Sequence, residues 1–304
     1  MRLCMCGLAL SVAGAGAVAD VVTGFEAPEY SIGVLTGQNG WYLPSAGGVD
    51  FNVAAYGSDA FGFAVNPTGG EQFLIGQFMA NHARAQLDVD YTGSTQWEIA
   101  YDVNVIYDGS AAATDNIGSA SLQDSTTAAT FIPLLMFNAA DTGWNHNVIA
   151  YDAAGNQVTL TPAPEWMDLE FNSWHRATWV VDFATNRVLS GTLVNLSTGA
   201  SSTVEFADVY LQGGAAGGRP LPTAFRFFSS GNEANITGWD NLSITPAGAE
   251  CFADFDGNGV VDTRDVIAFL NAWNADDQAS DCDENGVIDT RDVICFLNAW
   301  NMGC

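Results

Sequence analysis

Lysine is absent from this 304-residue chain, and all eight basic residues are Arg. Against them stand 35 Asp and Glu, giving a net charge of -27. A surface this negative repels phosphate, which argues against nucleic acid as a partner and disfavours an anionic membrane face. Histidine is scarce: His82, His146 and His175 show no shared local spacing for zinc or for a hydrolase triad. No Ser sits in a nucleophile-elbow setting, and the Gly runs lie in turn contexts, not in a phosphate-cradling motif. Cys is missing between Gly7 and Glu250. After residue 19 no run is long and apolar enough for a bilayer span. What is abundant is apolar surface. With 48% hydrophobic and 12% aromatic residues the chain buries a real core, which excludes disorder for most of its length.

The N-terminus reads as an export address. Met1-Arg2 carries one positive charge, an apolar small-residue run follows from Leu3 to Ala19, and Ala17-Val18-Ala19 fits a signal-peptidase site. Residues 1–19 are therefore expected to leave on export, taking Cys4 and Cys6 with them. The mature protein is expected to be secreted, extracellular or on the bacterial cell surface. Export permits disulfides. The remaining cysteines, Cys251, Cys282, Cys295 and Cys304, allow three pairings. Cys251 with Cys304 brackets the C-terminal segment and is the favoured clasp, which leaves Cys282 with Cys295.

Residues 20–246 read as strands and turns. Trp97, Ile99, Tyr101, Val103, Val105 and Tyr107 alternate with Glu98, Ala100, Asp102, Asn104, Ile106 and Asp108, the period of a half-buried strand. His175 to Phe183 alternates in the same way. Further strand candidates are 61–65, 85–91, 131–137, 148–151, 203–211, 225–228 and 239–244, with turn signals at Asp152–Asn156, Asp182–Asn186 and Gly213–Gly218. About a dozen short strands without an amphipathic helix predict an antiparallel β-sandwich of jelly-roll type.

A short linker, 247–250, separates this from residues 251–304, where composition changes sharply. Ten Asp and one Glu face only Arg264 and Arg291 there. The segment is a repeat: Asp254-Phe-Asp-Gly-Asn-Gly-Val-Val-Asp-Thr-Arg-Asp265 recurs 27 residues on as Asp281-Cys-Asp-Glu-Asn-Gly-Val-Ile-Asp-Thr-Arg-Asp292. Each copy continues Val-Ile-x-Phe-Leu-Asn-Ala-Trp-Asn. Oxygen ligands fall at positions 1, 3, 5, 9 and 12 of each loop: Asp254, Asp256, Asn258, Asp262 and Asp265, then Asp281, Asp283, Asn285, Asp289 and Asp292. Gly259 and Gly286 stand where the chain turns sharply, and Val260 and Val287 offer carbonyls. This spacing wraps a loop around one hard cation of calcium size. Carboxylates crowded so closely repel one another without a counter-ion, so calcium is expected to stabilise the module. Asp262 and Asp289 also stand at helix N-cap positions.

With its paired loop-helix units and terminal Gly303-Cys304, the module resembles a type I dockerin of the Gly-Cys type carried by exported planctomycete proteins. The resemblance implies a non-catalytic docking unit with two calcium ions and a small α-helical fold. It also implies that loop positions 10 and 11, Thr263-Arg264 and Thr290-Arg291, contact a cohesin-like or other cell-surface partner.

Gly24-Phe25-Glu26 near the mature start and Trp239-Asp240-Asn241-Leu242 near the domain end resemble the two ends of concanavalin A-like or laminin-G-like jelly rolls. In such sandwiches the terminal strands lie together and share a structural calcium, which assigns that part to Glu26 and Asp240. The sandwich is expected to bind a carbohydrate or a partner without catalysis. Trp41, Tyr42, Trp97, Trp144, Trp166 and Trp174 supply aromatic surface, and Trp144 is the best candidate for an exposed stacking ring. The alternative is a jelly-roll glycoside hydrolase or polysaccharide lyase. Glu165-Trp-Met-Asp168-Leu-Glu170 comes near the alternating carboxylates of sandwich glycosidases, with Trp166 where a nucleophile belongs, and reads as a structural strand.

Overall fold

The computed structural model describes residues 21–44, 48–109, 116–124, 130–139, 142–231, 233–247, 252–253, 255–256, 261, 263–282 and 286–302. The predicted signal peptide therefore lies outside the described residues. The chain divides after Ala247 into two compact units.

The strands of the first unit run as β1 (Val21–Thr23), β2 (Gly33–Val34), β3 (Asn52–Ala55), β4 (Gln72–Gln77) and β5 (Ala83–Asp88). There follow β6 (Gln96–Tyr107), β7 (Gly118–Gln123), β8 (Thr130–Ala139), β9 (Gly143–Tyr151) and β10 (Gln157–Leu160). The last are β11 (His175–Asp182), β12 (Arg187–Asn195), β13 (Ser201–Glu205), β14 (Ala224–Ser229) and β15 (Asn235–Pro246). All the ladders are antiparallel. One sheet has nine strands in the order β13-β12-β11-β6-β15-β4-β3-β2, with β1 pairing to β15; the other has six, β10-β9-β8-β7-β14-β5.

Alternation explains how the two sheets meet. Trp97, Ile99, Tyr101, Val103 and Val105 of β6 share one core with Ala85 and Leu87 of β5, Ala120 and Leu122 of β7, and Phe225 and Phe227 of β14. Phe227 is the keystone of the contact. Its ring lies 4.4 Å from Trp239 and 6.3 Å from Tyr101 across the gap, and stacks on Trp41 at 5.8 Å. Aromatic side chains combine a large buried area with directional ring packing, so a few of them fix the spacing between sheets.

Several expectations change. Residues 61–65 form no strand. Phe61 and Phe63 instead cover the outer face of the nine-stranded sheet, where Phe73, Ile75, Trp174 and Ile236 make a second apolar cluster. Strand β13 ends at Glu205, not at 211. Residues 164–166 form a 3-10 turn, so the segment carrying Glu165, Asp168 and Glu170 is no strand; Leu169 makes only an isolated bridge to Trp144.

The second unit has two helices, α1 (Thr263–Asn274) and α2 (Thr290–Met302). Phe269 and Phe296, equivalent in the repeat, stack face to face at 4.1 Å between the helices, and Phe252 and Phe255 pack edge-on around them. No helix among the described residues is long and apolar enough to cross a membrane.

Candidate functional site

The second Asp-rich loop shows how its sequence closes on itself. Asp281, at position 1, is 9% exposed. Its Oδ2 accepts from the Gly286 N–H at 2.8 Å and from Gln278 Nε2 at 2.8 Å. Its Oδ1 is buried and has no hydrogen-bond partner among the described residues. Gly286 holds φ +81°, a conformation that glycine adopts without steric cost. At position 12, Asp292 is fully buried, accepting from Cys282 N at 3.0 Å through Oδ1 and from Asp289 N at 2.7 Å through Oδ2. Asp289 in turn accepts from Arg291 N at 2.7 Å, so Asp289 and Asp292 form an acidic capping box at the start of α2. Position 1 and position 12 thus tie the loop's two ends to its backbone. A disulfide joins Cys282, at position 2, to Cys295 of α2.

The first loop repeats part of this arrangement. Asp265 is fully buried and accepts from Asp256 N at 3.1 Å. Asp254, Asn258, Val260, Asp262, Asp283 and Asn285 lie outside the described residues, as do Cys251 and Cys304. Val287 is described, with an exposed side chain. A buried carboxylate oxygen without a donor is costly. A hard divalent cation is the partner that the Asp, Asn and carbonyl donor set suits. Among the described residues no group of three or more His, Cys, Asp or Glu stands as a preformed metal cluster.

The four residues expected to contact a partner are solvent-facing. Thr263, Arg264, Thr290 and Arg291 are all exposed. Beside them, equivalent positions of the two helices expose Ile267 at 61% and Ile294 at 60%, with Leu270 and Leu297 one turn on. Arg291 folds back onto Asp289 at 2.8 Å, a surface pair worth little on its own.

In the sandwich, Asp102 of β6 and Asp240 of β15 stand directly opposite each other, and Arg176 of β11 stands opposite Asp102. The three share the outer face of the nine-stranded sheet. Arg176 Nε donates to Asp102 Oδ1 at 2.7 Å. Asp102 Oδ2 also accepts from Asn241 Nδ2 at 2.7 Å, Asn66 Nδ2 at 2.8 Å and Thr68 Oγ1 at 3.0 Å. Asp240 accepts from Asn66 Nδ2 at 3.1 Å, Tyr56 OH at 3.2 Å and its neighbour's N–H, Asn241, at 2.8 Å. Burial first, and the charge of Asp102 second, push the Asp240 carboxyl up to about 8. Glu26 accepts from Glu71 N and Gln72 N, both at 3.0 Å. The chain reaches these groups through Gly69-Gly70. A Cβ on Gly69 would collide with Asp240 Oδ2, and one on Gly70 with the Glu26 carboxylate. Glu26 and Asp240 therefore each find protein donors and fasten the segment 56–72 onto the sheet.

The aromatic platform is corrected. Trp41, Trp97, Trp144, Trp166 and Trp174 are all fully buried, Trp144 included. Trp144 opens β9 on its core-facing side, where it packs edge-on to His175 at 5.6 Å. Sequence spacing also hid a histidine pair. His146 and His175 both lie in this core; His146 Nε2 meets Tyr101 OH at 3.0 Å, and Asn195 Nδ2 meets His175 Nε2 at 3.2 Å. Burial drives His146 down to about 3 and His175 to about 4. Alternation along β9 and β11 placed each residue on the core face, but only the sheet stacking brings them together.

No protein-family model matches the chain, and no curated protein does. Among solved structures, it is similar to a conserved carbohydrate esterase of the Shiga toxin-encoding bacteriophage phi24B, at 14% identity over 76% of this chain and 98% of that one, TM-score 0.44. A CBM2 module from the evolved Dit of Lactobacillus casei BL23 phage J-1 matches at 13% identity over 75% and 96%, TM-score 0.41. Lectin II from Ulex europaeus matches at 11% over 70% and 95%, TM-score 0.40. The fold stands on strand order and register, and these distant likenesses add nothing to it.

Proposed function

We propose that the protein is an exported, calcium-dependent docking protein whose β-sandwich is a non-catalytic glycan-binding domain. The C-terminal unit anchors it to a cohesin-like or other cell-surface partner in the manner of a dockerin. The observation that carries this reading is the second loop: Asp281 with one oxygen on the Gly286 N–H and the other buried without a donor among the described residues. The cation would be held by Asp281, Asp283, Asn285, the Val287 carbonyl, Asp289 and Asp292. Asp254, Asp256, Asn258, the Val260 carbonyl, Asp262 and Asp265 would hold a second. The exposed Ile267, Leu270, Ile294 and Leu297, flanked by Thr-Arg pairs, support a partner surface on the helices. For the sandwich, the segment bearing Glu165, Asp168 and Glu170 lacks the single-strand carboxylate array of a sandwich glycosidase.

Calorimetric titration of the full chain with calcium tests the reading. Two ions are expected to bind, with Asp281→Ala removing one and weakening the module's thermal transition. Absence of binding at millimolar calcium overturns the docking assignment.

A further inference from the structure

The outer face of the six-stranded sheet carries a distinctive arrangement of polar and basic side chains. Ala85, Leu87, Phe225 and Phe227 point into the core, so Arg84, Gln86 and Asp88 of β5 and Arg226 and Phe228 of β14 point away from it. Arg226 is registered opposite Gln86 on one side and Ser121 on the other; Phe228 lies opposite Arg84 and Ser119. Two of the chain's eight basic residues thus share a small patch of a protein with a net charge of -27.

The patch is held rigid by a directed chain of hydrogen bonds. Arg226 Nε donates to Gln86 Oε1 at 2.7 Å, Gln86 Nε2 donates to Tyr42 OH at 2.6 Å, and Tyr42 OH donates to Asp88 at 2.7 Å. Each link fixes the next, so the Gln86 amide and the Tyr42 hydroxyl have one orientation each. Tyr42 is brought there by an isolated antiparallel bridge to Gln86 at the edge of β5. Beside the chain, Arg84 lies over the Phe228 ring, 5.5 Å from its centroid. The half-buried Arg226 uses only Nε. Its Nη groups make no hydrogen bond or ion pair among the described residues. Burial, and then the charge of Arg84, lower its basicity. Asp88, the one carboxylate in the chain of bonds, accepts from Tyr42 OH and not from the guanidinium.

An oriented, half-desolvated guanidinium fork that bonds no carboxylate among the described residues is arranged to receive a planar or tetrahedral oxyanion. Tyr42 edges the site with a ring of the size that packs on sugar faces. We propose that this face, centred on Arg226, binds an anionic polysaccharide, its sulfate or uronate groups seated on the guanidinium. The occupant is chosen by charge complementarity: elsewhere a chain this acidic repels polyanions. The inference rests on the reading of the sandwich as a glycan-binding domain and names the class of glycan.

The test uses the full-length, calcium-loaded protein with dextran sulfate, polygalacturonate, unmodified dextran and duplex DNA as probes, at two salt concentrations. Binding to dextran sulfate or polygalacturonate is expected, weakened by salt. Arg226→Gln is expected to weaken it by about tenfold or more, and Arg226→Lys is expected to recover part of the loss. Melting curves of both variants establish that they fold; Arg219→Gln serves as the charge-matched control. If both variants fail to fold, Tyr42→Phe and the salt dependence of the wild type carry the test. Anionic-glycan binding that is indifferent to Arg226 and, in that fallback, to Tyr42 overturns the inference. So does binding to dextran alone, while leaving the glycan-binding reading intact. Equal binding of DNA overturns the glycan assignment in favour of a general polyanion site. Failure to bind any of the four probes overturns the inference, and a wider neutral-glycan panel then decides the broader reading separately.

Discussion

At the scale of single residues, two buried sites titrate in opposite senses. The Asp240 carboxyl is raised to about 8 from an ordinary value of 3.8. The folded state therefore holds a proton that the unfolded chain has released, and this contribution is lost as pH rises from about 4 through about 8. Asp240→Asn is expected to remove this contribution to the pH dependence of melting temperature between about pH 4 and pH 8; an unchanged slope across that window would remove the assignment. His146 and His175 behave in the reverse way. Their folded values, about 3 and about 4, lie below the ordinary 6.5. Stability is full above 6.5 and is lost as pH falls towards 4, because the unfolded chain takes up protons that the core refuses. Urea midpoints measured across that window are expected to drop with acidity. Replacing His146 with Gln should reduce that slope while lowering stability at neutral pH. Neither effect was legible in the sequence, because both depend on which strands become neighbours.

At the scale of elements, the longest alternating runs were the legible part. Strands β6 and β11 fall close to where the period of two places them, whereas the candidate 239–244 covers only part of β15, whose phase shifts at a bulge between Asp240 and Ser243. Strand β7 was not legible because its Gly-Ser-Ala-Ser-Leu-Gln carries only one large apolar side chain, and its burial comes from its neighbours β8 and β14. Residues 61–65 misled for the opposite reason. Phe61 and Phe63 alternate as in a strand, yet they serve as a cover over a sheet face that is apolar at one end. Truncating Phe63 to Ala is expected to loosen that cover first, measurable as faster amide exchange across residues 56–70. Truncating Phe227, which bridges the sheets, should cost the whole sandwich about 3–5 kcal/mol by denaturant titration. Comparable losses from the two would deny the distinction between cover and core. The closure of the second Asp-rich loop follows from local spacing: Gly286, Asp281 and Asp292 play their parts within twelve consecutive positions.

At the scale of the whole molecule, the chain divides after Ala247, and the parts are stabilised by different physics. The sandwich rests on buried aromatic surface. The C-terminal unit rests on a small phenylalanine stack and on loops that concentrate negative charge. Chelation of calcium is therefore expected to lower one calorimetric transition and leave the other in place. A single transition that moves as one would contradict this division. A net charge of -27 disfavours approach of phosphate and anionic lipid, so the proposed attraction of an anionic glycan rests on placed arginines such as Arg226.

The bridge between Cys282 and Cys295 has no counterpart in the first repeat, where Phe255 and Ala268 occupy the matching positions. The covalent staple thus constrains the second repeat and not the first. On the proposed calcium reading, the stapled loop is expected to fill first, and the two near-identical halves would cease to be interchangeable.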